Sequence, residues 1–187
     1  MRMTTPRVPP VDEADWNDAQ KAAVGGAKMG GRTLNIFKTL ANHPNLARRW
    51  MVFANHIMGK SSITLRDREI VILRMGWLCK SGYEWGQHVV IGLQCDLSAA
   101  EIEQIKIGAE AANWAENERW LLKATDELHD DAFISDSTWL GLASYYNTEQ
   151  LMDIIFTAGQ YNLVSMALNT LGVQLDKGMT LDEALRR

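Results

Sequence analysis

The stretch Thr64-Leu65-Arg66-Asp67-Arg68-Glu69-Ile70-Val71-Ile72-Leu73-Arg74, followed after a short connection by Ser81-Gly82-Tyr83-Glu84-Trp85-Gly86-Gln87-His88, decides the fold. Thr64 with Asp67 is a helix start of the capping-box kind, and the apolar positions Ile70, Val71, Leu73, Trp77 and Leu78 then recur mostly at helical spacing. Ser81 with Glu84 repeats the pattern, so a second helix is predicted from about Gly82 to about Gly92. On that helix Glu84 and His88 are one turn apart and share a face, with their Cβ atoms roughly 6 Å apart. Glu69 stands on the preceding helix and joins them if the two helices pack together.

Working outward, the same signals recur in both directions. Helices are predicted from Asp15 to Val24, from Leu34 to Ala41 with an end at His43-Pro44, and from about Asn45 to Met58. Ser98 with Glu101 opens a short helix ending at Gly108, a Trp-bearing acidic helix runs from about Glu116 to His129, and Ser137 begins another. Asn147 with Gln150 caps a long apolar segment from Leu151 to Val173, whose otherwise continuous hydrophobic surface Gly159 and Asn162 interrupt. Gly25-Gly26 and Gly30-Gly31 are the only Gly-rich punctuation, and no repeat is visible. The expectation is an all-α fold in a single domain over 1–187, with 1–30 as an N-terminal extension and a core over about 34–178.

Composition agrees with one packed domain. A chain of 187 residues buries roughly 70% of the surface its unfolded form exposes, and 47% apolar with 22% charged residues is an ordinary globular balance. A formal charge of -4 and a pI near 5.6 give no electrostatic footprint for a phosphate backbone, so nucleic acid is not an expected partner. Met1 to Pro10 lacks the apolar stretch of a secretory signal and no segment is long and apolar enough for a membrane span, so the expectation is a cytoplasmic protein with no membrane partner. Cys79 and Cys95 form no C-x-x-C pair and are read as reduced, buried thiols. The nearly all-round apolar last helix and the Trp- and Met-rich sides of the others leave more apolar surface than one small monomer hides, which points to an obligate oligomer.

Glu69, Glu84 and His88 are the candidate catalytic residues. A carboxylate beside an imidazole raises its basicity and fixes its tautomer, while burial raises a carboxyl's own pKa, and groups under such opposed pressures move protons near neutral pH. Plainer readings stand beside this one. A Glu three positions after a Ser N-cap satisfies a capping box with no chemistry, His88 ahead of Val89-Val90-Ile91 fits a satisfied core histidine, and Glu69 within Arg66-Asp67-Arg68-Glu69 fits a solvated charge run.

Taken together, Glu69, Ser81, Glu84 and His88 resemble the carboxymuconolactone decarboxylase superfamily, whose alkylhydroperoxidase branch carries Glu-x11-Cys-x2-Cys-x3-His at the same spacing. Glu69 falls on the family's proton-relay Glu and His88 on its His, whereas its two redox cysteines fall on Ser81 and Glu84. The chain is therefore similar to a cysteine-free subgroup, and the likeness extends through Asp126-Glu127-Leu128-His129 to Gly159-Gln160-Tyr161-Asn162. The resemblance implies a compact multi-helix alkylhydroperoxidase-like fold assembled as a homotrimer or homohexamer, and a lyase-like acid–base chemistry that uses no organic cofactor. The substrate it implies is a small carboxylated lactone, keto-acid or other intermediate of aromatic catabolism. In that scheme His88 is general acid or base, Glu84 orients it or shares the proton, and Glu69 relays the proton to solvent. Ser81, Tyr83, Trp85, His129 and Tyr161 are the expected substrate contacts, although an aromatic taken singly is more often core than pocket and His129 fits a helix-terminal surface site.

Since neither cysteine stands in the motif register, a thiol-peroxidase cycle is not expected. Two other readings use the same residues: a non-catalytic module that binds a small metabolite, and a metal-dependent enzyme holding its ion on the two carboxylates and the imidazole.

Overall fold

The structure, a computed structural model, describes residues 3–186, so Met1 and Arg2 of the leading stretch lie outside the described residues. Among the described residues, regular structure consists of nine α-helices, one minimal antiparallel hairpin and two short 3-10 turns, which is the all-α fold expected. The helices are α1 (Asp18–Val24), α2 (Asn35–Leu40), α3 (Pro44–Gly59), α4 (Leu65–Leu78), α5 (Gly82–Gln94), α6 (Ala99–Ile107), α7 (Glu116–Asp131), α8 (Asp136–Ala143) and α9 (Thr148–Leu171). Strands β1 (Lys28–Met29) and β2 (Arg32–Thr33) pair across Gly30 and Gly31, whose φ angles of +56° and +76° make that tight turn possible. Among the described residues no helix is long and apolar enough to cross a membrane.

The helix starts follow the local chemistry read from the sequence. Thr64 accepts a hydrogen bond from Asp67 N, and Ser98 and Asn147 form complete capping boxes with Glu101 and Gln150. Two boundaries differ. α8 starts at Asp136 because Ser135, not Ser137, accepts from Thr138 N. α1 starts at Asp18 and not at Asp15, because Asn17 forms the capping box with Gln20.

α4 is the centre of the molecule. α5, α6, α7 and α9 all pack on it, and every residue from Asp67 to Gly76 is buried. A helix surrounded in this way forces its charged side chains into the interior, where each must be paired. Arg74 donates to Asp126 at 2.5 and 3.0 Å and to the last carbonyls of α6, Ile105 O and Lys106 O. Arg66 pairs with Glu118 and Glu101, and Arg68 with Glu69. A Cβ on Gly92 would come within 3.2 Å of Leu73 and Leu97, so the glycine lets α5 lie close on α4.

After α9 the chain turns at Gly172 and runs back past the start of α2, where Asn35 donates through its side chain to Gln174 O. α9 leaves Met152, Phe156, Leu163 and Met166 exposed along one side.

Candidate functional site

The residues that meet in the interior come from five helices. α4 supplies Arg68 and Glu69, α5 supplies Tyr83, Glu84, Gln87 and His88, α9 supplies Gln160 and Tyr161, and α2 with α3 closes the opposite wall. Helical geometry explains the α5 set. Positions 83, 84, 87 and 88 fall on one face, so two polar pairs, each one turn apart, point the same way.

His88 lies between two carboxylates. Its Nδ1 is 2.6 Å from Glu69 Oε2 and its Nε2 is 3.0 Å from Glu84 Oε1. Behind them Arg68 donates through Nε and Nη2 to Glu69 Oε1 at 3.0 and 2.8 Å, and through Nη1 to Met58 O at 2.7 Å. All four side chains are buried. Burial alone would lower the His88 pKa, but the charge and hydrogen bond of Glu69, joined by those of Glu84, push it up to about 10. Burial likewise disfavours the Glu69 carboxylate, yet His88 and Arg68 hold it below the usual carboxylate range. At neutral pH His88 is therefore an imidazolium donating to both acids.

Glu84 and His88 form part of the wall of a cavity of about 140 Å³. Met51, Met58, Ile36, Phe37 and Trp50 make its apolar side, and Asn55, Gln87, Gln160 and Tyr161 its neutral polar side. The Tyr161 ring meets the His88 ring edge to face at 5.0 Å and 85°, and burial, with the charges of Glu84 and Glu69 adding to it, raises the phenol pKa well above its ordinary value. Tyr161 is accordingly a neutral phenol.

The structure separates the expected residues. Glu69, Glu84 and His88 converge, but Glu69 stands behind His88 and does not line the cavity. It is fully buried with its other oxygen held by Arg68, so the expected relay to solvent has no outlet through it. Tyr83 and Tyr161 line the cavity, whereas Ser81, Trp85 and His129 do not. Trp85 points to the other side of α5, where its ring meets that of Trp77 at 5.0 Å and a 57° tilt in the main core. His129 lies in a separate cleft with Cys79, Asn162 and Asn169 and pairs with Asp130. Ser81 is buried, its side chain caps nothing and its Oγ has no partner, while the Glu84 side chain turns to His88.

Several residues of the site carried no sequence signal. Asp176, in the coil after α9, accepts from Tyr83 OH at 2.6 Å, Gln87 Nε2 at 2.7 Å and Asn35 N at 2.9 Å, while Ile36 N donates to Tyr83 OH. It thereby joins the α2 wall of the cavity to the α5 wall. Burial, and then the Asp176 hydrogen bond, raises the Tyr83 pKa far above its ordinary value. Among the described residues no group of three His, Cys, Asp or Glu is arranged to hold a metal ion. The reason is geometric: the two carboxylates sit at opposite nitrogens of one ring, so the donors face the ring and not a common point. Cys95 is buried and Cys79 half-buried, and neither lines the cavity.

Residues 44–127 match the sequence profile of the carboxymuconolactone decarboxylase family. No curated protein matches the chain with significance. Among solved structures, the chain is similar to an alkylhydroperoxidase AhpD core, an uncharacterized peroxidase-related protein from Ralstonia eutropha JMP134, at 17% identity and a TM-score of 0.81 over 94% of each chain. It is similar to an uncharacterized peroxidase-related protein from Silicibacter sp. TM1040 at 18% identity and a TM-score of 0.77, over 94% of this chain and 96% of that one. The debrominase Bmp8, solved in complex with 2,3,4-tribromopyrrole, matches at 14% identity and a TM-score of 0.74, over 93% of this chain and 94% of that one. At such identities the likeness is one of fold.

Proposed function

We propose that this chain, whose residues 44–127 match the profile of the carboxymuconolactone decarboxylase family, is a cofactor-independent acid–base enzyme that moves a proton on a small cyclic lactone or ketone. The observation that carries this reading is the Glu84–His88–Glu69 chain, which ends at a cavity of about 140 Å³. A hollow of about 150 Å³ holds a benzene-sized molecule, so the cavity fits a single ring.

Glu84 is the group placed to act as base. Its carboxylate lines the cavity, and its hydrogen bond to the imidazolium of His88 fixes its position. When Glu84 takes a proton from a carbon beside a carbonyl, the charge of His88 loses one of its two compensating anions. The imidazolium then stabilises the developing enolate oxygen, in surroundings where water is scarce and electrostatic contacts are strong. Glu69 and Arg68 hold the imidazolium in place and make no contact with substrate, which replaces the expected relay with an orienting role. A thiol cycle in this cavity would lack a thiol, which favours proton transfer over the peroxidase chemistry of the alkylhydroperoxidase branch.

Proton transfer is read directly as solvent deuterium entering the carbon next to the carbonyl of small lactones and cyclic ketones, followed by NMR. Glu84→Gln and His88→Gln are each expected to slow the enzyme-dependent exchange by roughly 100-fold or more with the helical circular dichroism preserved. Exchange as fast in both variants as in the parent protein overturns the assignment. A protein that binds these rings and returns them without deuterium is a binding module.

A further inference from the structure

We infer that the ligand of this cavity is an uncharged ring bearing a carbonyl or ester oxygen, and that the cavity discriminates against the carboxylated lactones and keto-acids expected from the sequence. The inference deepens the acid–base reading of the same site and rests on it. Among the described residues, no Lys or Arg lines the cavity, while the carboxylate of Glu84 does. The guanidinium of Arg68, behind Glu69, directs Nε and Nη2 to Glu69 and Nη1 to Met58 O. His88 supplies a positive charge at the wall, but Glu69 and Glu84 occupy both of its nitrogens.

The charges therefore balance without a ligand. Arg68 and His88 offset Glu69 and Glu84, and Asp176, directly behind Tyr83 and Gln87, adds one more negative charge. An entering carboxylate would lose its hydration beside Glu84 and find no unpaired cation, which is the costly way to bury an ion. The neutral groups suit a different ligand. Asn55, Gln87 and Gln160 line the cavity with amide side chains whose N–H groups suit a carbonyl oxygen.

Trp50 adds a second, independent indication. Its indole N–H is buried with no hydrogen-bond partner, although buried donors are almost always satisfied. Its ring lines both this cavity and a second hollow of about 140 Å³ that shares Ile36 and Val164 with the first and is otherwise lined by apolar side chains and Thr39. A neutral ligand oxygen that reached Trp50 would accept from a donor nothing else uses, and the second hollow would take an apolar substituent.

Three probes of one size and different charge test the inference: benzamide, benzoate and benzylamine, titrated by NMR or calorimetry at pH 7 against the parent protein and Glu84→Gln. Benzamide is expected to bind at least about 10-fold more tightly than benzoate, and Glu84→Gln to narrow that gap by strengthening benzoate. Benzoate or benzylamine binding as tightly as benzamide, or none of the three binding, overturns the inference. Benzamide has no carbon-bound proton beside its carbonyl to exchange, so its binding is read apart from chemistry. Absent deuterium exchange with the charge preference intact sinks the acid–base reading alone, and a lost preference with exchange intact sinks this one.

Discussion

His88 and His129 each lie against a carboxylate at nearly the same distance, 2.6 Å from Glu69 and 2.7 Å from Asp130, yet the two contacts differ in kind. The His129 pair sits in the last turn of α7 with its side chains 28% and 73% exposed, where water competes for both partners and the contact contributes little. The His88 pair is enclosed by α4, α5 and α9, with side-chain exposures of 7% and 0%. There each charge relies on its neighbour, because hydration is unavailable to replace it. Distance alone therefore says little about an ion pair. The surrounding helices convert the same two functional groups into a surface decoration in one place and a buried, mutually dependent pair in the other.

The contrast can be broken most sharply at Glu69. Glu69→Ala strands the buried charges of Arg68 and His88 together, and urea titration should show a loss of about 3–5 kcal/mol. A loss under about 1 kcal/mol would mean that the two cations find other partners. The next effect, of the order of a few kcal/mol, is a pH limb. His88 has its pKa raised from an ordinary 6.5 to about 10, so its contribution to stability is full below pH 6.5 and is lost as the pH climbs through about 10. Denaturation midpoints taken between pH 6 and 10 should fall in the parent protein and stay level in His88→Gln; a parent protein with a flat profile would contradict the coupling. The smallest effect is expected at the surface pair. His129→Ala should change stability by less than about 0.5 kcal/mol, and a change above about 1 kcal/mol would show that the Cys79 cleft depends on that ring.

Legibility in the sequence follows the range of the interaction. The Glu84–His88 contact is one helical turn long, so spacing alone reveals it. The helix starts at Thr64, Ser98 and Asn147 are similarly local, since each cap bonds an amide three residues away. Arg68 and Glu69 fit a solvated charge run only while α4 is pictured at the surface, and four helices packing on it reverse that reading. Trp85 was legible but misplaced. Being next to Glu84 in sequence, it is turned about 100° around α5, toward Trp77 and away from the cavity. Ser81 shows the limit of a motif, because the same spacing serves a capping box or frees Glu84 for His88, and only the position of His88 decides. Asp176 lies in coil without periodicity, and its three partners are at least 89 positions away, so no window of sequence contains the contact.

The tie made by Asp176 also orders the protein's assembly in time. Arg68, Glu69, Glu84 and His88 all precede residue 95, whereas Tyr161 and Asp176 follow only with and after α9. A chain leaving the ribosome from its N-terminus can bring α4 and α5 together early, with the charged cluster already formed. Its container comes last, when the coil beyond α9 clamps α2 against Tyr83 and Gln87. The cavity beside Glu84 and His88 is therefore fully walled only once that coil is in place.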